Sequence, residues 1–318
     1  MRVLITGGAG FIGSHLADAL IARGDQVVAL DNFSTGSTAN IKHLTKNFEL
    51  VEGDIRDTKL VQDLVSQADL VFHLAAAVGV SLILESPIES ISTNIFGSEN
   101  VLLAAAQFKK RILIASTSEI YGKGVKQPLN ELDDRVIGSP QKLRWSYSDA
   151  KAIDEAMAVA LHHKSNLQVT TARLFNTVGP RQSSRYGMVV PRFIGAAVKN
   201  TPIPVYGNGN QTRVFCHIFD VVDALLQLVA TDKTVNEVYN VGGIGEISMT
   251  ELANKVVEET KSQSTIEYIP YEKAYAPGFE DMERRVPDIT KITSAINWTP
   301  QRDLSRIISD VAAHITNS

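Results

Sequence analysis

Short apolar runs and longer amphipathic runs alternate along the first two-thirds of the chain. Val3–Thr6, Gln26–Leu30, Phe48–Val51, Leu70–Leu74, Ile112–Ala115 and Val169–Ala172 are brief β-rich segments, several of them almost continuously apolar, as strands buried on both faces are. Between them, Ser14–Arg23, Asp57–Ser66, a long run from about Pro87 to Phe108, and Ala150–His163 follow the helical period. Strand–helix alternation of this kind predicts an α/β fold, a doubly wound parallel sheet with helices on both faces. Ligands of such sheets bind outside the carboxyl ends of the strands, so each strand end is a place to look for chemistry. After about Phe175 the pattern loosens: Gly179-Pro180-Arg181, Pro202-Ile203-Pro204 and Gly207-Asn208-Gly209-Asn210 punctuate it. Helical runs at Phe219–Thr231 and Ser248–Lys261 and a short strand at Val238–Val241 follow. The expected division is a sheet domain over 1–176, rejoined by about 217–242, and a smaller interleaved substrate lobe over 177–318.

The first strand ends in Gly7-Gly8-Ala9-Gly10-Phe11-Ile12-Gly13 and leads into a helix, and the next strand ends in an acid. Gly8, Gly10 and Gly13 fit G-x-G-x-x-G, and Gly7, Gly10 and Gly13 fit its wider-spaced relative. Glycines are needed there for a tight turn, for backbone approach to a pyrophosphate and for close packing of helix on strand. Asp31 follows Gly13 by 18 residues and is placed to accept hydrogen bonds from ribose hydroxyls. The unit predicts a Rossmann-type dinucleotide site built on Gly7, Gly10, Phe11, Ile12, Gly13, Asp31 and Asn32. A carboxylate at 31, followed by a loop Asn32-Phe33-Ser34-Thr35-Gly36 without Lys or Arg, disfavours a 2′-phosphate, so NAD is expected rather than NADP.

Two further strand ends carry chemistry. Ser116-Thr117-Ser118-Glu119-Ile120-Tyr121-Gly122 follows the strand Ile112–Ala115, where hydroxyls would point into the nicotinamide crevice. Ser146-Tyr147-Ser148-Asp149-Ala150-Lys151 heads the next helix and places Tyr147 and Lys151 one turn apart on one face. An ammonium held there would lower a phenol from its usual pKa of about 10, making a base for a sugar hydroxyl, while Thr117 orients that hydroxyl. Alone, Tyr-x-x-x-Lys reads as well as a packed tyrosine and a solvated lysine. Behind a dinucleotide fingerprint and opposite Thr117, the catalytic reading prevails.

Composition narrows the classes. The 318 residues are 44% hydrophobic and 21% charged, ordinary for a globular protein, and the formal charge of −4 speaks against nucleic acid as partner. The one cysteine, Cys216, lies in an apolar run and leaves no disulfide or cysteine metal cage to build, so no metal is expected. No stretch approaches the about 20 apolar residues of a membrane span, and the opening residues are too weakly apolar for a signal peptide, so a cytoplasmic location is expected. Arg181, Arg192, Arg213 and Arg285 are forks suited to a diphosphate.

Over essentially its whole length the chain resembles the extended short-chain dehydrogenase/reductases that act as nucleotide-sugar epimerases, dehydratases and decarboxylases. The motifs are Thr6 to Gly13, Asp54-Ile55, His73-Leu74-Ala75-Ala76, Ser116 to Gly122, Tyr147 to Lys151, Arg173 to Arg181 and Val205 to Arg213. The resemblance implies that Asp54 and Ile55 contact adenine, that Leu74, Ala75 and Ala76 line the cofactor site, that Asn176 and Arg213 hold the sugar nucleotide's pyrophosphate, and that Val205 and Tyr206 lie along the uracil. It also implies a homodimer, with the helices at 87–108 and 150–163 as candidates, and oxidation at C4 of the sugar as a shared first step. Glu119 beside Thr117 implies further work at C5 or C6. Thr117-Ser118-Glu119 and the wording from Lys142 to Ser148 are similar to UDP-glucuronate decarboxylases and UDP-apiose/xylose synthases, and Arg284 to Ile289 resembles the segment that gives them a catalytic arginine, here Arg285. Dehydratases of this group carry aspartate where this chain has Ser118. Decarboxylases carry a Glu-Tyr pair where this chain has the apolar 77–84, a departure toward epimerases. The expectation is UDP-glucuronate decarboxylation, with 4-epimerisation as alternative and 4,6-dehydration behind it. A non-catalytic NAD-sensing module would have lost Thr117, Tyr147 or Lys151. An ordinary alcohol dehydrogenase would release NADH.

Overall fold

The computed structural model describes residues 1–79, 85–124, 126–184, 188–274 and 282–317. Its centre is a seven-stranded parallel sheet. The strands are β1 (Arg2–Thr6), β2 (Gln26–Asp31), β3 (Phe48–Glu52), β4 (Leu70–His73), β5 (Arg111–Thr117), β6 (Val169–Leu174) and, far along the chain, Glu237–Val241. Across the sheet the order is Glu237–Val241, β6, β5, β4, β1, β2, β3, so the direction of winding reverses between β1 and β4. Both neighbours of β1 are parallel to it, and the crevice for a ligand opens above that reversal.

The pleat explains why the strands read as continuous apolar runs. Val3 and Ile5 of β1 face one helical layer with Leu16, Leu20, Val222 and Leu225, while Leu4 faces the other with Val61, Val65, Leu102 and Ile112. The helices are α1 (Phe11–Ala22), α2 (Thr58–Gln67), α3 (Pro87–Ser92), α4 (Ser98–Gln107) and α5 (Ser146–Ser165). The single long helix expected at 87–108 is one helical run broken by a π turn at Thr93–Gly97. Within that turn Asn94 accepts from the Ala77 N–H at 2.8 Å and donates to the Ala77 carbonyl at 3.0 Å, which anchors the segment leaving β4.

A smaller lobe has its own core of Phe193, Ile194, Ile203, Val205, Leu252, Val256, Ile307 and Ile308. It contains α6 (Val189–Val198), a parallel pair made by Ile203–Tyr206 and Ile266–Ile269, and a helix at Met249–Thr260 closed by a Ser248/Glu251 capping box. The sequence reading predicts no helix at Val189–Val198, Tyr271–Ala274, Thr290–Ile296 or Leu304–Asn317. Thr290–Ile296 packs on the sheet's core, and Leu304–Asn317 completes this lobe with Ile307, Ile308 and Val311.

A buried polar cluster fastens the strand ends to one another. Arg173 of β6 donates from Nε and Nη2 to the Glu155 carboxylate of α5 at 3.0 and 2.7 Å, and Ser116 of β5 donates to the same group at 2.5 Å. Arg173 also donates to the Tyr121 hydroxyl at 2.9 Å, and Tyr121 donates to Asn240 at 2.6 Å. Asn240 in turn donates to the Leu129 carbonyl at 2.9 Å. Removing one partner of a buried pair leaves the other charge without a counter-ion, so Glu155→Gln should cost about 3 kcal/mol of stability. Urea unfolding checks this, and a midpoint equal to wild type would show that the pair carries no weight.

Candidate active site

The crevice, of about 780 Å³, runs from the glycine turn across the ends of β1, β4 and β5 into the smaller lobe. Its floor at β1 is backbone. Gly7 sits at φ +76°, and a Cβ on Gly13 would stand 2.2 Å from the Gly7 carbonyl oxygen, so helix and turn meet at a distance only glycine allows. Gly10 caps α1 without any side-chain bond, leaving the first N–H groups of the helix, with Phe11 and Ile12, facing the crevice. A bare helix start crossed by a glycine turn accepts a pyrophosphate, so the residues present fit a dinucleotide.

At the end of β2, Asp31 accepts from the Ala9 N–H at 2.9 Å and the Phe33 N–H at 2.8 Å, and burial pushes its carboxyl pKa up. It therefore ties the glycine turn to the next loop while lining the crevice beside Asn32. Asp54 departs from expectation. Arg56 grips its carboxylate at 2.9 and 2.7 Å and Asn32 donates to it at 3.0 Å; the Arg56 hydrogen bonds hold it well below the usual carboxylate range. Gly53 and Ile55 line the crevice at this strand end instead. Leu74, Ala75 and Ala76 line it beyond β4, with Val78 and Gly79; residues 80–84 of the apolar stretch lie outside the described residues.

Thr117, Glu119, Tyr147 and Lys151 converge on this crevice, together with Asn176, Arg181, Arg192, Tyr206, Arg213 and Arg285. The Thr117 hydroxyl, which accepts from the Glu119 N–H at 3.2 Å, lies close enough to the Tyr147 phenol to oppose the rise in its pKa. Burial, with the Glu119 and Asp154 carboxylates nearby, pushes the Tyr147 phenol well above its ordinary value. The expected lowering by Lys151 is therefore not found in this state: the Lys151 ammonium donates to Asp154 Oδ2 at 3.0 Å, and its charge is answered there.

Glu119 stands between two arginines. Arg144 Nη1 donates to Oε2 at 2.5 Å and Arg285 Nη1 to Oε1 at 2.6 Å. Burial alone would raise this carboxyl, but the two guanidinium groups more than reverse it, to about 2. Arg285 also donates to Asn176 Oδ1 at 2.7 Å, and Asn176 donates to the Val214 carbonyl at 2.8 Å, so two expected substrate residues hold each other. Arg144, given no role from sequence, is buried and stacks over Trp145 at 5.0 Å. Its position three residues before Tyr147, on the same helical face, was the available signal.

In the smaller lobe the Val205–Tyr206 edge divides. Val205 is buried in the lobe's core, and only Tyr206 faces the crevice, with the Arg192 guanidinium 4.1 Å from its ring centroid. Alternation along a strand forbids both from facing the same way. Arg181, at φ +67°, pairs with Asp18 of α1 at 2.7 Å on the crevice wall, and Arg213 donates to the Thr212 carbonyl at 2.8 Å.

A reversed-winding parallel sheet, a glycine-turn dinucleotide cleft and a Thr/Tyr/Lys cluster at its strand ends define the extended short-chain dehydrogenase/reductase class of nucleotide-sugar enzymes. A family model described as GDP-mannose 4,6 dehydratase matches residues 4–311, and the chain belongs to that family. A UDP-N-acetyl-alpha-D-glucosaminuronate decarboxylase of Bacillus cytotoxicus is 44% identical over 94% of this chain and 92% of its own. UDP-glucuronic acid decarboxylase 1 of Arabidopsis thaliana is 36% identical over 100% of this chain and 71% of its own. A solved UDP-glucuronic acid 4-epimerase of Bacillus cereus, in complex with UDP-glucuronic acid and NAD, superposes with a TM-score of 0.89 at 26% identity, covering 100% of this chain and 99% of that one.

The electrostatics of Glu119 set a pH dependence. A carboxyl held near 2 in the fold, against 4.5 ordinarily, stabilises the protein above its ordinary value, and that contribution is lost as pH falls toward 2. The difference in melting temperature between wild type and Glu119→Gln should thus be largest above about pH 4.5 and shrink below it; a difference independent of pH would contradict the assignment.

Proposed function

We propose that the protein is an NAD-dependent decarboxylase of a UDP-linked glucuronate, acting through a 4-keto sugar. The observation that carries this reading is the Arg144–Glu119–Arg285 group beside Thr117 and Tyr147. Two guanidinium groups and one carboxylate leave one net positive charge at the place where the substituent on C5 would lie. A carboxylate there is attracted, and a neutral hydroxymethyl gains nothing comparable.

The chain's residues divide the work. Asn176, Arg192, Tyr206 and Arg213 of the outer crevice receive the UDP moiety, with 177–318 contributing most of that pocket. Gly7, Gly10, Phe11, Ile12, Gly13, Asp31 and Asn32 hold NAD, which when bound supplies the acceptor for the C4 hydride and returns it at the end. Thr117 donates to the C4 oxygen and Tyr147 accepts its proton. Arg285 binds the sugar carboxylate and Glu119, ionised throughout, holds that arginine in place. Once C4 is a ketone, the bond between C5 and the carboxylate carbon breaks; carbon dioxide leaves, and its electron pair enters an enolate whose oxygen Thr117 and protonated Tyr147 stabilise, until a proton from water adds at C5 and restores the C4 ketone. An ionised Glu119 and a neutral Ser118 are poor acids for expelling water, which sets 4,6-dehydration aside. The acetamido group named for the Bacillus cytotoxicus relative lies on C2, away from the reacting carbons, so the same residues serve either sugar.

The protein is read as a cytoplasmic homodimer; no described helix is long and apolar enough to cross a membrane. Ile88, Phe96 and Leu103 of the 87–107 run, and Ile153 and Val159 of α5, are between 41 and 78% exposed, an apolar face on adjacent helices that a second copy would cover. Phe96→Asp with Ile153→Asp should yield monomers in sedimentation velocity; an unchanged sedimentation coefficient would overturn that pairing.

Incubation with UDP-glucuronate or its 2-acetamido counterpart should give a product lighter by carbon dioxide in mass spectrometry. Tyr147→Phe should reduce turnover at least about a hundredfold while UDP-sugar binding persists. A product of unchanged mass would instead assign 4-epimerisation.

A further inference from the structure

Asp154 is a buried carboxylate that the mechanism above does not use. It lies three residues after Lys151 on α5 and is 4% exposed. Its Oδ2 accepts from the Lys151 ammonium at 3.0 Å and from the Ser98 hydroxyl of α4 at 3.0 Å. Behind Ser98 stands His73 at the end of β4, its Nε2 3.0 Å from the serine oxygen, and behind His73 stands Thr6 of β1, its hydroxyl 2.7 Å from Nδ1. Burial pushes the His73 imidazole down to about 3, so the ring is neutral and carries one proton. Ser98 spends its only proton on Asp154, and therefore accepts from His73 Nε2–H; His73 Nδ1 then accepts from Thr6. Every donor in this chain points toward Asp154. Burial raises the Asp154 carboxyl above its ordinary value, and the Lys151 ammonium and the Ser98 hydroxyl at its Oδ2 work against that rise.

The chain ends inside the sheet. Thr6 Oγ1 accepts from the Ala75 N–H at 3.3 Å, and His73 is 1% exposed, so the chain offers protons no exit to solvent. Its effect is electrostatic. Charged and titratable groups face Tyr147 from each side: Glu119 from the turn after β5, itself flanked by Arg144 and Arg285, and Lys151 and Asp154 from its own helix. Glu119, though flanked by two arginines, raises the phenol pKa from the front, and Asp154 and Lys151 are the opposed pair behind it.

We infer that Asp154 is a positioning residue that sets the pH at which Tyr147 becomes a base, by holding the Lys151 ammonium and placing a fixed negative charge behind the phenol. This rests on the reading of Tyr147 as the base. A phenolate is needed for C4 oxidation, so the rate rises with pH through the Tyr147 pKa. Removing a like charge seven residues along the same helix, about 10 Å at 1.5 Å rise per residue, lowers that pKa by about one unit.

The test compares pH profiles of the single-turnover rate with UDP-glucuronate for the holoenzyme and its variants. Asp154→Asn should move the rising limb to lower pH by about one unit, a tenfold gain in rate at a fixed pH on that limb. Asp154→Glu should restore the wild-type position, and Ser98→Ala, which loosens the carboxylate, should move the limb in the same direction by less. In parallel, the Tyr147 Cζ resonance of ¹³C-tyrosine protein, assigned with Tyr147→Phe, should begin to titrate at lower pH in Asp154→Asn. An unmoved or upward-moved limb in Asp154→Asn, with Tyr147→Phe inactive, overturns the role of Asp154 alone. Full activity in Tyr147→Phe overturns the base assignment instead. Should Asp154→Asn fail to fold, the direction of the Ser98→Ala shift decides.

Discussion

The buried pair between Arg173 and Glu155 is the contact on which the geometry of the crevice depends. Glu155 sits two turns beyond Tyr147 on α5, and Ser116, bonded to the same carboxylate, immediately precedes Thr117. The Thr117 and Tyr147 hydroxyls that line the crevice are thus set by a single carboxylate beneath them. The pair also reaches the far wall. Through Tyr121 and Asn240 it fixes Leu129, whose N–H donates to the Val286 carbonyl at 2.8 Å, next to Arg285. Burying two charges is expensive and seldom raises stability over apolar packing. Here the return is registry, because one cluster aligns β5, β6, Glu237–Val241, α5 and the segment bearing Arg285.

In the resting crevice most of the charges expected to act have an opposite charge against them. Glu119 lies between Arg144 and Arg285, Lys151 against Asp154, Asp54 against Arg56, and Arg181 against Asp18. In a partly dry crevice an unmatched charge would cost several kcal/mol, so the pairing is what lets so many ionised groups share it. A ligand must then compete for partners instead of meeting bare charges. Arg285 is suited to that exchange, since its Nη2, spent on Asn176, can turn to another carboxylate while its Nη1 stays on Glu119. Tyr147 is the exception, neutral and buried, with its pKa raised by the same surroundings.

What could be read from sequence follows how locally each feature is determined. The glycine turn was legible because Gly7 of the turn and Gly13 of the helix it leads into meet six residues apart, at a separation that no side chain survives. The Tyr147/Lys151 spacing was legible because a helix turns the same way everywhere. The direction of the lysine was not, because its partner is anchored by Ser98 on another helix and His73 on another strand. Asp54 is a similar case: its motif survived in sequence, yet Arg56, two residues on, claims its carboxylate. Val205 and Tyr206 show a different limit. Pro202-Ile203-Pro204 and the glycines after Tyr206 read as punctuation, so no strand is predicted at Ile203–Tyr206, and the resemblance alone places both residues along the uracil. The helix Leu304–Asn317 has a clear apolar stripe, but its necessity appears only once Phe193 and Leu252 need a third wall.

The division between shared and particular chemistry follows from the same distinction. Thr117 and Tyr147 stand on the sheet and its first helical layer, whose geometry is fixed by pleat, period and the cluster around Arg173. Any member of the family with that framework can begin at C4. What happens next depends on Glu119 meeting Arg285 across 166 positions of sequence, through a two-residue strand, Arg284–Arg285, laid on Thr212–Arg213. That contact belongs to the smaller lobe, where loops vary without disturbing the sheet. On the proposed reading, a single framework supplies the oxidation while the segment around Arg285 recognises a carboxylate, so the product would be set by the least local contact in the site.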